Sequence, residues 1–325
     1  MHPMKHSYDT LGDAALKVLD RISPPPNSAL PRNSVRDASS QGVVEKLTEP
    51  KRDLYILLRD NASNNETLNQ LWQEVNSVPP WVCWEQIARG QDCFYRYGGP
   101  ILTGLAFQSL LGGMGAARVV ETLARTGGFS TKVARHRLFE TTQHILQCTQ
   151  SLEAIQPEGA GFASSIRVRL LHAAVRQRIM KLAKERPEYY DCDKLGVPIN
   201  DLDSIATIGT FSATLVWLSL PRQGIWMTKQ EVIDYIALWR YIAYLTGTPT
   251  QPFENPDKAK RFMEILLLRE IRPTETSKIL ANNIIKSLAV GFLDKFLLES
   301  RSLTIDRPNL LALHPYRFLR PTADF

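Results

Sequence analysis

The segment "SSIRVRLLHAAVRQRIM", residues 164 to 180, sets one histidine among apolar and cationic side chains. Arg169 and Arg176 stand three residues before and four after His172, and a helix of about 3.6 residues per turn carries all three on one face. A neutral nitrogen ligand and two cations then point the same way. That is the equipment a haem requires: an axial imidazole for its iron and cations for its two propionates, with Arg167 and Arg178 as alternative cations. A lone helical histidine is, however, more often a hydrogen-bonded core residue, and an arginine-rich face can simply be exposed.

Three further groupings could carry chemistry. In "RHRLFETTQ", residues 135 to 143, Arg137, Glu140 and Thr141 fall at i, i+3 and i+4 and so share a face. They form either an ordinary surface ion pair or, if this helix faces His172 across a cavity, a polar wall opposite a metal. Glu121 lies among Val119, Val120, Thr122 and Leu123, either on an outer face or held inside for proton transfer. Thr207, Thr210, Ser212 and Thr214 dot an apolar segment, where helical hydroxyls usually bond back to their own backbone. His136 and His144 have weaker claims. The Gly-rich run 99 to 129 lacks the strand and spacing of a phosphate loop, and no zinc-hydrolase, serine-hydrolase or calcium-loop signature occurs.

These residues need helices to position them. Apolar residues recur at helical spacing from about residue 43, which predicts helices near 43–59, 64–76, 84–96, 100–125, 130–155, 161–186, 200–218, 228–247, 256–269 and 274–299. "PEGAGF" at 157 separates two long helices, Asn200 offers an N-cap, and "GTPTQP" at 247 stops another helix. An all-α fold follows, organised as one large helical domain over 43–325. Ahead of it, residues 1–42 divide into a short amphipathic piece, Leu11 to Ile22, and a Pro/Ser/Asn-rich tether that cannot bury enough apolar area to fold alone.

Composition narrows the function. The chain has 325 residues, 44% hydrophobic, and a net charge of +6. Its basic residues are scattered among nearly as many acids, and no zinc-finger or RNA-binding motif appears, so a solvated basic surface is expected rather than a nucleic-acid site. The four cysteines, Cys83, Cys93, Cys148 and Cys192, are too widely spaced for a zinc motif and are expected as free thiols in a reducing compartment. No secretory signal or membrane span is expected; "SIATIGTFSATLVWLSL" at 204 reads as a buried helix. A cytoplasmic, soluble protein fits this pattern, with peripheral contact to an internal membrane left open.

Over about residues 81 to 300 the sequence resembles the haem-b oxygenases related to bacterial latex-clearing proteins, or rubber oxygenases, a family that includes the fungal endoplasmic-reticulum-bound oxygenase of mycophenolic acid biosynthesis. The resemblance rests on "RVRLLHAAVR", on "RLFETTQ" from 137 to 143, on the Glu121 helix and on "GVPINDLDSIATIGTFS" from 196 to 212. It implies a globin-like helical core binding haem b, with His172 as the proximal iron ligand and Arg169 and Arg176 flanking it. It further implies a distal side built from Arg137, Glu140 and Thr141, with Glu121 at the place of a proposed catalytic base and Thr207 near that of a pocket threonine. The chain departs from rubber oxygenases where Glu140 matches a lysine that can close on the iron.

The expected function is therefore haem-dependent oxidative cleavage of a C=C bond in an apolar olefinic, isoprenoid-like substrate by dioxygen. Two alternatives stand beside it. One is another haem enzyme of secondary metabolism, a peroxidase or isomerase, which Glu140 makes plausible. The other is a helical interaction module without cofactor, which requires Arg169 and Arg176 to be exposed.

Overall fold

The computed structural model describes residues 3–25, 52–126, 129 and 133–287. Helices make up the fold: α1 (Thr10–Ile22), α2 (Leu54–Asn61), α3 (Glu66–Asn76), α4 (Trp84–Arg96), α5 (Gly98–Gly104), α6 (Ala117–Thr126), α7 (Ala134–Thr149), α8 (Leu152–Ile155), α9 (Ala160–Glu185), α10 (Cys192–Leu195), α11 (Asp201–Phe211), α12 (Leu220–Arg222), α13 (Lys229–Leu245) and α14 (Pro256–Glu270). A last helix, α15, runs over 275–287. Among the described residues the only β pairing is an isolated bridge between Ala116 and Ile271. The protein is all-α.

Two antiparallel helix pairs make the frame. In the first, α4 lies along α13: Arg89 grips Asp234 at 2.7 Å and Arg96 reaches Glu231 at 2.6 Å. The axes come so close at Gly90 that a Cβ there would stand 2.5 Å from the Asp234 carbonyl oxygen. The start of α13 is fixed by a capping box, Thr228 and Glu231 each satisfying the other's backbone N–H. Tyr235, Leu238, Trp239 and Ile242 carry the buried face of α13, and Trp239 stacks on Phe211 of α11 at 5.0 Å.

The second pair is α7 with α9. Gly161 allows the approach, since a Cβ on it would lie 2.5 Å from the carbonyl oxygen of Gln147. The piece before the tether is part of the same core: Ala15, Leu16 and Leu19 of α1 are fully buried against α3 and α9. Burying a leucine contributes about 1.5–3 kcal/mol, which makes α1 a structural member of the bundle.

The helices lie largely where hydrophobic spacing put them, and the differences have local causes. The helix expected over 100–125 is interrupted: α5 runs into a π-helical turn at Leu105–Leu111, helix continues through Gly113, and the chain breaks at residues 114–116, around Gly115, before α6. Glycine costs a helix about 1 kcal/mol relative to alanine, and the freed Gly115 carbonyl accepts a bond from the Arg272 N–H at 2.8 Å. The expected 130–155 helix ends at Thr149, after which Ser151 caps α8. The 200–218 helix stops at Phe211, and a second π-helical turn, Leu215–Ser219, continues it at a 42° bend. Asn200 does cap α11, accepting from Asp203 N at 2.9 Å, and Gly247, at φ +69, ends α13. Residues 43–51, most of the tether and the part of the last helix beyond 287 lie outside the described residues.

Among the described residues no single helix is long and apolar enough to cross a membrane. Only the bent pair Asp201–Phe211 with Leu215–Arg222 meets that test, by length and composition alone. Most of its apolar side chains, including Ile205, Ile208, Leu215, Val216 and Leu220, are buried inside the protein, as the sequence led us to expect.

Candidate active site

The register of α7 against α9 decides what faces His172. His144 Nδ1 lies 2.9 Å from Ser164 Oγ, and Cys148 Sγ lies 3.7 Å from the Gly161 carbonyl oxygen. Continued along two antiparallel helices, that pairing brings Arg137 level with Leu171 and His172. The positive charge of Arg137 is near enough to lower the pKa of His172. The "RLFETTQ" helix thus packs beside the histidine helix, with Arg137 at the level of His172.

His172 itself lies deep in the protein, yet its side chain is partly reached by solvent. Among the described residues it has no hydrogen-bond or ion-pair partner. Burial first, then the positive charges of Arg176, His144 and Arg137, lower its pKa to about 4. At neutral pH the ring is uncharged and a nitrogen lone pair is available. On the helical wheel Val168, Leu171 and Val175 stand to one side of it, all partly or fully exposed, and form an apolar stripe.

To its other side stand Arg169 and Arg176, only 3% and 2% exposed. The exposed basic face needed by the interaction-module reading is absent. Neither guanidinium is free. Arg169 donates two bonds to Asp9, at 2.7 and 2.8 Å, and a third to Glu74 at 2.8 Å. Arg176 pairs with Asp13, donates to the carbonyls of Pro198 (3.2 Å) and Ile199 (2.9 Å), and lies 4.9 Å from the ring centre of Tyr8. Sharing a helical face with His172 did not give these side chains the same destination, because α1 brings carboxylates to them. Arg167 is likewise paired with Asp53 at 2.8 Å, whereas Arg178 is exposed and forms no ion pair among the described residues.

The remaining residues are more dispersed. Glu140 is half exposed, 3.2 Å from His136 Nε2 and 4.0 Å from Arg137. Thr141 is exposed and bonds back to the Arg137 carbonyl at 3.0 Å. Phe139, on another face of α7, is 60% exposed with Arg135 over its ring. Glu121 is held by Arg125, its neighbour one turn on, which also donates to the Tyr189 carbonyl. Thr207 is exposed and donates to the Asp203 carbonyl at 2.8 Å, the back-bond expected of a helical hydroxyl. Among the described residues no hydrogen bond or ion pair joins Glu121 or Thr207 to His172 or to the Arg137 group.

His144 is the residue that sequence reasoning undervalued. It follows Arg137 by seven residues and so shares its helical face, which was the available signal. Like His172 it lies deep, is reached by solvent, and has a pKa pushed down to about 4 by burial.

No group of three or more His, Cys, Asp or Glu side chains among the described residues could hold a bare metal ion. A metal at His172 would need the rest of its ligands from another source, as the iron of a macrocycle has. Two other cavities, of about 320 Å³ at Tyr8, Asp13, Lys17 and Thr67 and about 470 Å³ at Met4, Ile205, Phe262 and Ile265, do not include His172. The four cysteines are free, as expected.

The structure is similar to one described as "Structure of Latex Clearing Protein LCP in the closed state", with a TM-score of 0.56, 17% sequence identity, and coverage of 86% of this chain and 69% of that one. At that identity the likeness concerns the fold. No curated protein matches the chain. Residues 95–323, well over half of the sequence, match the family described as "ER-bound oxygenase mpaB/B'/Rubber oxygenase, catalytic domain", and the chain belongs to that family.

Proposed function

We propose that this protein is a haem-b-dependent oxygenase in which His172 ligates the iron, and that it cleaves a C=C bond in an apolar, isoprenoid-like olefin. Family membership supports an oxidoreductase that uses dioxygen and a small-molecule substrate. The observation that carries the cofactor reading is His172: a deep, neutral imidazole without a hydrogen-bond partner, beside an exposed apolar stripe. An imidazole nitrogen that no protein group occupies is free to take an incoming ligand.

When bound, haem would supply a redox-active iron able to bind and activate dioxygen. The protein's own groups would do the rest. His172 presents its lone pair, and the neutral state enforced by burial keeps that pair available throughout the physiological range. Val168, Leu171 and Val175 would offer a bound ligand an apolar stripe that suits a hydrocarbon. With Arg169 and Arg176 engaged by α1, Arg137 and Arg178 are the cations left to meet acidic groups on a ligand. Arg137, level with His172, is also the group proposed to orient or polarise dioxygen, with Thr141 one turn on. Glu121, held by Arg125, is the carboxylate proposed to accept an allylic proton.

A visible spectrum of aerobically purified protein, before and after reduction and carbon monoxide, tests the assignment. An intense Soret band that is lost in His172→Ala is expected. A preparation that stays colourless after haem supplementation, or full haem retention in His172→Ala, would overturn it. Incubation with polyprenes under labelled dioxygen tests the chemistry, since cleavage must place the label in carbonyl products.

A further inference from the structure

His172 has no hydrogen bond of its own, so its direction is inherited from the backbone of α9. Alongside the packing of α7 and the carbonyls of Pro198 and Ile199, the carboxylates that hold that turn of α9 come from outside the matched catalytic domain. Arg169 and Arg176, roughly one turn to either side of His172, are gripped by Asp9, Glu74 and Asp13, all of which precede residue 95. Asp9 does two jobs with one carboxylate: it caps α1 by accepting from Gly12 N at 3.0 Å, and it takes the Arg169 guanidinium in a bidentate pair. Next to Asp13, the α1 backbone is tied in as well, since Gln177 Nε2 donates to the Asp13 carbonyl at 2.9 Å. Gly247 closes over the first pair, where a Cβ would lie 2.6 Å from Arg169 Nε and 2.7 Å from Asp9 Oδ2.

We propose that the N-terminal segment is a positioning element for the metal site: Asp9, Asp13 and Glu74 clamp the arginines on either side of His172 and thereby set the direction of its imidazole. The inference rests on His172 being the iron ligand. A guanidinium held by two or three charge-assisted bonds cannot slide or rotate without breaking them, and fixing one above and one below the histidine removes both freedoms from that turn. The same contacts place α1, which the family's catalytic domain does not include, in direct control of the ligand helix.

The test uses the full chain carrying Asp9→Asn, Asp13→Asn or Glu74→Gln, with Asp9→Glu as the conservative variant. Asparagine caps a helix as well as aspartate, so Asp9→Asn removes the charge and keeps the cap. In the haem-free protein, amide hydrogen exchange over 168–176 should rise at least about tenfold in Asp9→Asn and Asp13→Asn, with far-UV circular dichroism unchanged. In the haem-loaded protein, the ferrous iron–imidazole stretching band should shift, hemin affinity should fall by about 10–100-fold, and Asp9→Glu should restore much of both. Folded variants whose exchange, band and affinity all match the wild type overturn the proposal. If Asp13→Asn does not fold, Asp9→Asn and the half-exposed Glu74→Gln decide by the same readings. A wild-type chain that takes up no haem would defeat the iron-ligand reading alone, and the exchange measurement would then settle the clamp separately.

Discussion

Replacing Arg176 by methionine should cost more stability than any surface change in this protein. The substitution keeps much of the side chain's volume and removes its charge. Asp13, 7% exposed, then loses its cation, and breaking one side of a buried ion pair typically costs about 3–5 kcal/mol. The carbonyls of Pro198 and Ile199 lose their donors, at about 1 kcal/mol each, and the Tyr8 ring loses its cation. Ile199 sits at φ +53, a left-handed conformation that is unfavourable for a β-branched residue by roughly 1–2 kcal/mol, so its turn relies on such outside support. Part of the loss is recoverable, because burial already raises the Asp13 pKa and the orphaned acid can take up a proton. A net loss of about 4–6 kcal/mol near neutral pH follows, shrinking as the pH is lowered. Urea unfolding followed by circular dichroism, with the m-value held common, measures it. Adding Asp13→Asn should return about 2 kcal/mol or more, since the uncompensated charge is gone. A single variant within about 1 kcal/mol of wild type, or a double variant no better than the single, would refute the argument that this pair anchors α9.

Three further outcomes are expected. Gly247→Ala should lose about 2–4 kcal/mol by thermal unfolding, from left-handed strain plus displacement of the Asp9–Arg169 pair, whereas Gly224→Ala, at φ +76 with open space around it, should lose only the strain of about 1 kcal/mol; equal losses would count against the clash. In the haem-free protein, His144 and His172 are held neutral with pKa values of about 4, so the unfolded chain binds more protons below about 6.5. Their contribution is complete above that pH and is lost as it falls towards 4, at roughly 1.4 kcal/mol per pH unit for each ring; His144→Gln should remove about half of this slope, and an unchanged slope would contradict it. Asp203 runs the other way. Its pKa is raised to about 6 by burial, against the pull of Arg118 at 2.8 Å, so the stability it confers is complete below its unfolded value and lost as the pH rises through 6. Asp203→Asn should therefore compare better with wild type at pH 7.5 than at pH 4.5, and the reverse order of the two differences would show that the ion pair outweighs burial.

Several features of the fold were readable because they are local. Hydrophobic spacing of about 3.6 residues is a property of each segment, so α3, α4, α9, α13 and α14 appear within a few residues of their expected limits. Caps are local too, as at Asn200 and Gly247. Errors arose where a local preference met a tertiary demand: the Gly-rich run reads as one helix suited to close packing, yet it breaks at residues 114–116, where Gly115 and Ala116 pair with the chain at Ile271 and Arg272.

For the site, the sequence by itself determined which residue types share a face: His172 with its two arginines, and Arg137 with Glu140 and Thr141. It also carried the resemblance that the match over 95–323 bears out. Only the tertiary structure decided where those faces look. Periodicity fixes angles around one helix axis but contains no term for what another helix brings to it. Carboxylates from Asp9, Asp13 and Glu74, about a hundred residues or more away in the chain, draw Arg169 and Arg176 inward and leave His172 facing the open side without a partner.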